Sequence, residues 1–269
     1  METPLISVII ATYNGARFLS ETIDSVLVQD YPHFEIIIID DASTDHRVGE
    51  IIDTYTTKDN RIRWFRNEKN RERSWSKNFW VSQAKGLYIA FVDDDDTWGT
   101  TKLSKQIWVL LSEKDIWMVG TFARFVNESG EVLSETNHLK TDILSIKNNI
   151  LLSNQFIHSS VLLRKEIFQS VWGFREELSL CEDYELWLRI LEKTGWKNIP
   201  EPLVNYRVRT SSTTAKNLYR MKYSSILFAW KYRSSFPRGF RSLCIRILLF
   251  PFNTIFLMKT WKRLLWKKF

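Results

Sequence analysis

Leu87-Tyr88-Ile89-Ala90-Phe91-Val92-Asp93-Asp94-Asp95-Asp96 is an apolar run that ends in four consecutive acidic residues. Two earlier runs have the same form, since Leu5–Ile10 leads into the turn Thr12-Tyr13-Asn14-Gly15 and Phe34–Ile39 leads into Asp40-Asp41. Continuous β-branched runs are typical of strands that are buried on both faces of a parallel sheet. Their polar ends therefore predict one shared ligand crevice at the carboxyl ends of the strands.

Helical spacing connects these predicted strands. Apolar side chains recur at helical intervals between Phe18 and Gln29, and Ser43-Thr44-Asp45 can cap a helix that runs to about Tyr55. Repeated strand–helix alternation predicts an α/β fold with a doubly wound, mostly parallel sheet flanked by helices. The further predicted elements are a strand at Arg61–Phe65, a helix near Ser76–Gly86, a hairpin of Val119–Asn127 and Val132–Ser134, a strand at His158–Leu163 and a helix at Tyr184–Lys193.

The charge is distributed unevenly along the chain of 269 residues, whose length suits one sizeable α/β domain. No acidic residue follows Glu201, whereas 15 Lys and Arg residues do, so the net charge of +7 divides into an acidic body and a basic, aromatic tail. A uniformly basic chain would indicate nucleic acid as the partner. This distribution instead predicts an anionic membrane surface and no nucleic acid.

The tail after about residue 214 is predicted to be helical and to lie on the membrane without crossing it. Leu243–Met258 is mostly apolar but is shorter than the roughly 20 residues that a spanning helix needs. Trp261, Leu264 and Trp266 alternate with basic residues in an interfacial pattern. With two cysteines and a start that does not look like a signal peptide, the predicted location is the cytoplasmic face of the inner membrane. The alternative is a helical hairpin that packs on the catalytic domain or on a second copy in a homo-oligomer.

The acidic cluster Asp93-Asp94-Asp95-Asp96 has two interpretations. Adjacent carboxylates repel one another unless a cation lies between them, and hard oxygen ligands select Mg²⁺ or Mn²⁺. A solvated acidic turn is the alternative, although the position after a buried strand favours the metal. A zinc site is not expected, because the four His are scattered and no cysteine is near.

Two other acidic pairs also leave alternatives open. One carboxylate of Asp40-Asp41 could accept a hydrogen bond from a nucleotide base or a ribose, or could cap the helix that follows Ser43. Glu182-Asp183 opens a predicted helix, where a carboxylate is commonly a cap. The sharper interpretation is a general base that takes a proton from an acceptor hydroxyl.

Four segments in this order resemble glycosyltransferase family 2, the inverting family with the GT-A fold, over about residues 4–210. They are Ser7–Gly15, Ile39–Asp45, Ala84–Asp96 and Glu182-Asp183-Tyr184-Glu185. The resemblance implies a nucleotide-binding part at about residues 1–97 and an acceptor part at about 98–214, followed by the tail at 215–269. It also implies a nucleotide-sugar donor and a divalent metal ion, Mn²⁺ or Mg²⁺.

The resemblance also assigns roles to the matching residues. Tyr13 would stack near the base, Asp41 would accept the base N–H, Asp93 would lie toward the ribose and Asp95 would bind the metal with Asp93 beside it. Asp183 would be the general base. The residues placed at the nucleotide are Thr12, Tyr13, Asn14, Asp41, Lys77, Asp93 and Asp94, and those placed near the metal, phosphate or acceptor are Glu182, His158, Trp172, Arg209 and Asp96.

The chain departs from the family at two positions near the phosphates. Lys77-Asn78 stands where many members have Arg-Asn, and Tyr206-Arg207-Val208-Arg209 stands where a His commonly ends the motif. Arg209 is not a metal ligand but can clamp a phosphate as a charged fork, or else face solvent or lipid. His158 and Trp172 resemble acceptor-side residues, with structural roles as the alternatives.

The resemblance implies an enzyme that moves a sugar from a nucleotide-sugar, by default a UDP-sugar, to a hydroxyl group. The expected acceptor is a lipid-linked saccharide or a surface polysaccharide of a bacterium. A catalytically idle family member that acts as a membrane scaffold is the alternative from another class, and the presence of every motif carboxylate disfavours it. A nucleotidyltransferase is disfavoured because no Gly-rich, basic phosphate loop follows the first strand.

Overall fold

A computed structural model describes residues 3–71, 73–210 and 212–250 of the chain. In the described residues the strands are Ile6–Thr12 (β1), Phe34–Asp40 (β2), Ile62–Arg66 (β3), Tyr88–Asp93 (β4), Thr97–Trp98 (β5), Ile116–Val126 (β6), Val132–Glu135 (β7), Leu162–Arg164 (β8) and Gly195–Arg207 (β9). The α-helices are Leu19–Leu27 (α1), Arg47–Lys58 (α2), Arg73–Gln83 (α3), Lys102–Ser112 (α4), Ile143–Asn149 (α5), Lys165–Ser170 (α6), Glu182–Leu191 (α7) and Thr213–Lys231 (α8). Residues 239–250 are also helical and are called α9.

One mixed sheet forms the centre of the molecule, with the strand order β3-β2-β1-β4-β8-β6-β9-β5 and β7 paired to β6. The four strands β3, β2, β1 and β4 are mutually parallel, which confirms the predicted alternation of strands and helices in the first half. Strand β8 then pairs antiparallel with both β4 and β6, while β6 and β9 are parallel. The fold is therefore an α/β fold with a mixed sheet flanked by helices.

The two faces of the sheet carry separate hydrophobic clusters, because successive side chains of a strand point to opposite faces. Ile9, Ile37 and Phe91 face the cluster that α3, α7 and α8 cover. Val8 and Ile38 face the cluster that α1, α2 and α4 cover. Full burial of β2 on both faces agrees with its unbroken apolar sequence.

The second half differs from its sequence pattern at two places. The segment predicted as a strand at His158–Leu163 is a short 3₁₀ turn at His158–Ser160 followed by the three-residue β8. Ser160 Oγ donates to the Ile157 carbonyl at 2.8 Å, and such local hydroxyl–backbone bonds compete with strand pairing. The 13-residue β9 is not apparent in the sequence, where Pro200 and Pro202 interrupt the apolar pattern.

The described part of the C-terminal extension packs on the helices that cover the sheet. Phe228 of α8 lies against Tyr184 of α7 with ring centroids 5.9 Å apart. Tyr232 donates a hydrogen bond to Glu185 at 2.8 Å, and Arg246 of α9 donates to Tyr184 at 3.1 Å. Phe228 and Tyr232, which belong to the tail predicted to lie on the membrane, are thus core residues.

Of the helices that the structure describes, none is long and apolar enough to cross a membrane. The basic and aromatic segment predicted to lie on the membrane at Trp261, Leu264 and Trp266 falls outside the described residues, as does the second half of Leu243–Met258.

Candidate active site

A cavity of about 310 Å³ lies at the carboxyl ends of β1, β2 and β4. Its volume is at the small end of the range that is usual for small-molecule sites. The residues of the predicted site that line it are Thr12, Tyr13, Asn14, Asp41, Lys77, Asp93, Asp94, Asp95, Glu182 and Arg209. The cavity brings the polar ends of three strands together with the start of α7 and the segment after β9.

The turn after β1 links two other loops of the site. Thr12 Oγ1 donates to Asp94 Oδ2 at 2.5 Å, and the Asn14 side-chain oxygen accepts from the backbone N–H of Thr44 at 2.8 Å. Gly15 is required here, because a Cβ at this position would lie 1.9 Å from Asp94 Oδ2. The loops that follow β1, β2 and β4 therefore form one hydrogen-bonded unit.

Asp40 and Asp41 have different surroundings. Asp40 is fully buried, pairs with Arg66 at 3.0 Å and accepts from the backbone N–H of Ser43 at 2.8 Å. Asp41 lines the cavity, and its Oδ1 accepts from Asn67 at 2.6 Å. Asp40 thus stabilises the turn at Ser43 and does not cap α2, which begins at Arg47, while Asp41 is the carboxylate that faces the cavity.

Lys77, His158 and Asp93 form a cluster at the floor of the site. The Lys77 ammonium lies 2.8 Å from His158 Nε2, which must then accept the hydrogen bond, and 3.9 Å from Asp93 Oδ1. His158 Nε2 is 4.0 Å from the same carboxylate oxygen. Lys77 is 3% exposed, so the structure brings a buried positive charge to the first carboxylate of the acidic cluster.

The remaining acidic residues of the cluster divide between cavity and core. Asp95 lines the cavity and forms an ion pair of 2.5 Å with Arg209. Burial and the charge of Asp94 raise the pKa of Asp95 to about 7, against the lowering effect of Arg209. Asp96 is buried away from the cavity, where it accepts from Ser159 Oγ at 2.5 Å and from the backbone N–H of Arg207 at 2.8 Å.

Asp183 and Glu182 begin α7 at the edge of the cavity. Cys181 precedes them in a left-handed conformation with φ of 59°, and only Glu182 of the pair lines the cavity. Asp183 Oδ1 accepts from the backbone N–H of Tyr184 at 2.7 Å. Burial, followed by the charge of Glu182, raises the pKa of Asp183 to about 7, while the charge of Lys77 lowers it.

Comparison with known proteins identifies the family. Residues 7–172 match the model of the glycosyl transferase family 2. The chain belongs to this family. Over 216 residues, 78% of this chain and 82% of the relative, this glycosyltransferase is 35% identical to the O-antigen biosynthesis glycosyltransferase WbnJ of Escherichia coli.

Two solved structures share the fold of this family 2 glycosyltransferase. The mannosyltransferase PcManGT of Pyrobaculum calidifontis, in complex with GDP-Man and Mn²⁺, superposes with a TM-score of 0.70 at 16% identity and covers 98% of this chain and 74% of its own. TarS 1–349 of S. aureus, in complex with UDP-GlcNAc, superposes with a TM-score of 0.67 at 20% identity and covers 83% and 66%. At these identities the likeness shows the fold, a GT-A-type α/β architecture.

The carboxylates of this glycosyltransferase fit a divalent cation that is shared with a substrate. Within residues 3–71, 73–210 and 212–250, no three His, Cys, Asp or Glu side chains are grouped to hold a metal by themselves. Mg²⁺ and Mn²⁺ sites of nucleotide enzymes need one or two carboxylates and take the other oxygens from phosphate and water. Asp93 and Asp95 line the cavity as such oxygen donors, and burial, followed by the charge of Asp94, raises the pKa of Asp95 although Arg209 lowers it.

Trp172 does not reach the catalytic cavity of this glycosyltransferase. Its side chain is 91% exposed, so the interpretation of Trp172 as a core aromatic is wrong, and Phe174 fills the core instead. Trp172 has φ of 65°, which is a rare conformation for a bulky residue. His158, by contrast, lies below the cavity in contact with Lys77.

Several residues that line the cavity at the end of β9 and the start of α8 have no role in the sequence motifs. Arg207 is 5% exposed, donates to the Asp95 carbonyl at 2.9 Å and pairs with Glu21 at 2.6 Å. Thr213 and Thr214 line the cavity at the start of α8. The motif at residues 206–209 is the sequence signal for this side of the cavity. Its pattern does not indicate which of its two arginines is buried beneath the acidic cluster.

Proposed function

We propose that this glycosyltransferase transfers a sugar with inversion from a nucleotide-sugar, by default a UDP-sugar, to a hydroxyl of a lipid-linked or surface-polysaccharide acceptor. One observation carries the proposal: a single cavity is lined by Asp41, the carboxylates of Asp93 and Asp95, Arg209 and Glu182, with Asp183 adjacent in the chain. A carboxylate that can accept a base N–H, a carboxylate pair that can bind a metal and an arginine that can bind phosphate thus surround one volume, and the candidate general base lies next to Glu182 at its edge.

The wall built from β1, β2 and β4 is proposed to hold the nucleoside. Tyr13 is 49% exposed at the rim of the cavity, which suits stacking on a base, and Asp41 is oriented by Asn67 to accept a base N–H. Asp93 and Asp94 lie beyond the turn on the ribose side. UDP is the default nucleotide of this proposal. The solved structures of the same fold contain a UDP-sugar in TarS and a GDP-sugar in PcManGT, so the fold is compatible with a pyrimidine or a purine base.

The diphosphate is proposed to lie between the acidic cluster and two cations of this chain. Asp95, with Asp93 beside it, would hold Mn²⁺ or Mg²⁺, which when bound supplies Lewis-acid stabilisation of the charge on the leaving diphosphate. Arg209 can form a charge-assisted fork with phosphate oxygens, and Lys77 adds a buried positive charge at Asp93. These cations favour the transition state, in which charge grows on the leaving group.

Asp183 is proposed to take the proton of the acceptor hydroxyl. The acceptor oxygen bonds to the anomeric carbon while the bond from that carbon to the diphosphate oxygen breaks, and the nucleoside diphosphate leaves with the electron pair. Attack from the opposite face inverts the configuration. A carboxylate whose pKa is raised to about 7 is well matched to proton transfer at neutral pH.

The acceptor is proposed to be lipid-linked or part of a surface polysaccharide, handled at the cytoplasmic face of the membrane. The absence of acidic residues after Glu201 supports binding to an anionic surface. The O-antigen function in the name of WbnJ supports the polysaccharide context. The division into a nucleotide part at residues 1–97, an acceptor part at 98–214 and a membrane-associating tail remains part of this proposal.

A panel of nucleotide-sugars tests the proposal directly. Release of UDP, GDP or dTDP is measured for each sugar with Mn²⁺, with Mg²⁺ and with chelator. We expect metal-dependent release from one nucleotide class, and thermal stabilisation that needs both nucleotide and metal. If no nucleoside diphosphate is released from any donor under any metal condition, the chain is an idle scaffold and the proposal is wrong.

A further inference from the structure

A groove separate from the catalytic cavity runs between residues 177–180 and helix α8. It has a volume of about 280 Å³, and its apolar wall consists of Tyr219, Tyr223 and Leu227 opposite Leu178. Its shape is concave, whereas a helix that merely rests on a membrane needs only a convex face.

The groove adjoins the catalytic cavity. Leu178 and Ser179 line both spaces. Helix α8 also begins at the cavity, because Thr213 lines it, and then runs away along the groove. The lining residues of α8, from Tyr219 to Leu227, span about 12 Å of the helix at 1.5 Å per residue. A molecule with one end in the cavity can extend along this path.

The α8 side of the groove is partly exposed, and Phe250 of α9 lies against one of its rings, that of Tyr219, with ring centroids 5.1 Å apart. Tyr219, Tyr223 and Leu227 recur every four residues, which places them on one face of the helix, after the kink at Asn217. They are 59%, 54% and 48% exposed. Phe228, one position further, is buried in the core. A row of half-exposed apolar side chains beside a cavity is typical of a binding surface.

The charge of the groove favours an anion. Arg220 lines the groove between the two tyrosines, and neither α8 nor α9 contains an acidic residue. Glu177 on the opposite rim is paired with Arg175 at 3.2 Å. The other hydrogen-bonding groups of the lining are four hydroxyls, those of Ser179, Ser224, Tyr219 and Tyr223, and no amide side chain is among them. A saccharide would require more amide and carboxylate partners than these, so the lining suits a hydrocarbon chain attached to a phosphate.

We propose that this groove binds the phosphate and the first part of the hydrocarbon chain of a lipid-linked acceptor, whose sugar then reaches the catalytic cavity. The proposal rests on the transferase function proposed above. Arg220 pairs with the phosphate, and Tyr219, Tyr223 and Leu227 contact the chain. The occupant is thus a single lipid substrate rather than a membrane surface.

Binding of farnesyl phosphate tests the groove without the transfer reaction. The full-length protein is titrated with farnesyl phosphate in the presence of chelator by calorimetry, with inorganic phosphate in a parallel titration. We expect saturable binding of farnesyl phosphate and much weaker binding of inorganic phosphate. The double variant Tyr223→Ala/Leu227→Ala and the variant Arg220→Gln should each bind farnesyl phosphate at least tenfold more weakly. Trp108→Ala, which removes a 68% exposed aromatic from α4 on the opposite face of the sheet, should bind it as the wild type does.

Three results would overturn the proposal. The first is no binding of farnesyl phosphate to the full-length chain, as expected if residues 251–269 fill the groove. The second is an unchanged affinity of Arg220→Gln for farnesyl phosphate. Because the Arg220 side chain is exposed, this substitution should leave the fold intact. The third is a loss of binding to vesicles of phosphatidylcholine and phosphatidylglycerol in the groove variants while their affinity for farnesyl phosphate stays unchanged, because α8 would then be a membrane surface. Metal-dependent donor hydrolysis by the wild type is measured separately, and its absence would count against the transferase function and not against the groove.

Discussion

The two walls of the catalytic cavity are built in different ways. The first wall comes from the ends of β1, β2 and β4, and short hydrogen bonds such as that between Thr12 and Asp94 hold it together. The second wall combines the start of α7, the end of β9 and the start of α8, and it is fastened by long-range ion pairs. Arg207 pairs with Glu21, which is 186 positions away, and Arg209 pairs with Asp95 across the cavity.

The two walls are therefore expected to have different functions. The first wall presents a preformed surface whose groups already satisfy one another, as expected for recognition of a rigid nucleoside. The second wall carries Asp183 and Arg209, whose proton and ion pair can change when substrates bind. We therefore expect substitutions in the first wall to act on donor binding, and substitutions in the second wall to act mainly on turnover.

Asp183→Asn provides the strongest test of this contrast. Loss of the general base should lower kcat by about 10²- to 10⁴-fold, while the donor affinity stays within about twofold because Asp183 does not line the cavity. Steady-state kinetics and calorimetry with the donor measure the two quantities. Asp53→Asn, an exposed carboxylate on α2, is the matched control. Normal turnover of Asp183→Asn would mean that another group removes the proton.

Arg209→Ala should have the next largest effect. If this substitution changes donor binding and leaves kcat unchanged, the expected difference between the two walls does not hold for Arg209. Hydrogen bonds to charged groups contribute about 1.5–3 kcal/mol, so the loss of a phosphate contact should lower kcat/KM by about 10- to 100-fold. Arg209→Lys should recover part of this loss, since it keeps the charge but not the fork. Competition by the free nucleoside diphosphate measures the binding component. Wild-type kinetics in Arg209→Ala would mean that Arg209 makes no phosphate contact during turnover.

The pH dependence of turnover sharpens the assignment of the second wall. The raised pKa of Asp183, about 7, means that the base is protonated and inactive below this value. With saturating donor and metal, kcat should rise about tenfold per pH unit up to about pH 7 and then level off. The residual activity of Asp183→Asn should lack this limb. A limb that persists in Asp183→Asn would assign the titration to a different group.

Ala42→Gly should have the smallest effect and tests the first wall for strain. Ala42 follows Asp41 with φ of 64°, a conformation that costs an L-residue roughly 1–2 kcal/mol. Glycine removes this cost but loses roughly 0.5–1 kcal/mol to the greater entropy of the unfolded chain. The free energy of unfolding in urea should therefore rise slightly, by up to about 1 kcal/mol. Ala229→Gly, in the buried interior of α8, should instead lower it by about 1 kcal/mol or more, and equal losses in both variants would contradict the strain.

Several features of the active site follow from local sequence alone. The apolar runs of β1, β2 and β4 predict parallel strands, and parallel strands bring their carboxyl ends to one edge. The residues that follow these strands are therefore predicted to lie near one another, and Thr12, Asp41 and Asp93 do so in the cavity. This prediction depends only on the period of the strand and on the residues that follow each strand, both of which are encoded within a few positions.

The sequence pattern did not resolve which member of each acidic group faces the cavity. Asp40 and Asp41 are neighbours, yet Arg66 and Ser43 draw Asp40 into the core. Asp96 is drawn away in the same manner by Ser159 and by the backbone of Arg207. Neighbouring residues of a turn have similar sequence signals, and partners from distant segments decide between them.

The sequence by itself determined the strand ends of the nucleotide wall, because the alternation of buried strands and helices is a local property of the chain. Only the tertiary structure decided that Trp172 is exposed, that β9 brings Arg207 beneath the acidic cluster, and that Phe228 and Tyr232 bind α8 to the catalytic domain. These outcomes depend on contacts between segments that are far apart in sequence, and the free energy of such contacts is set by packing and by desolvation of charge rather than by periodicity.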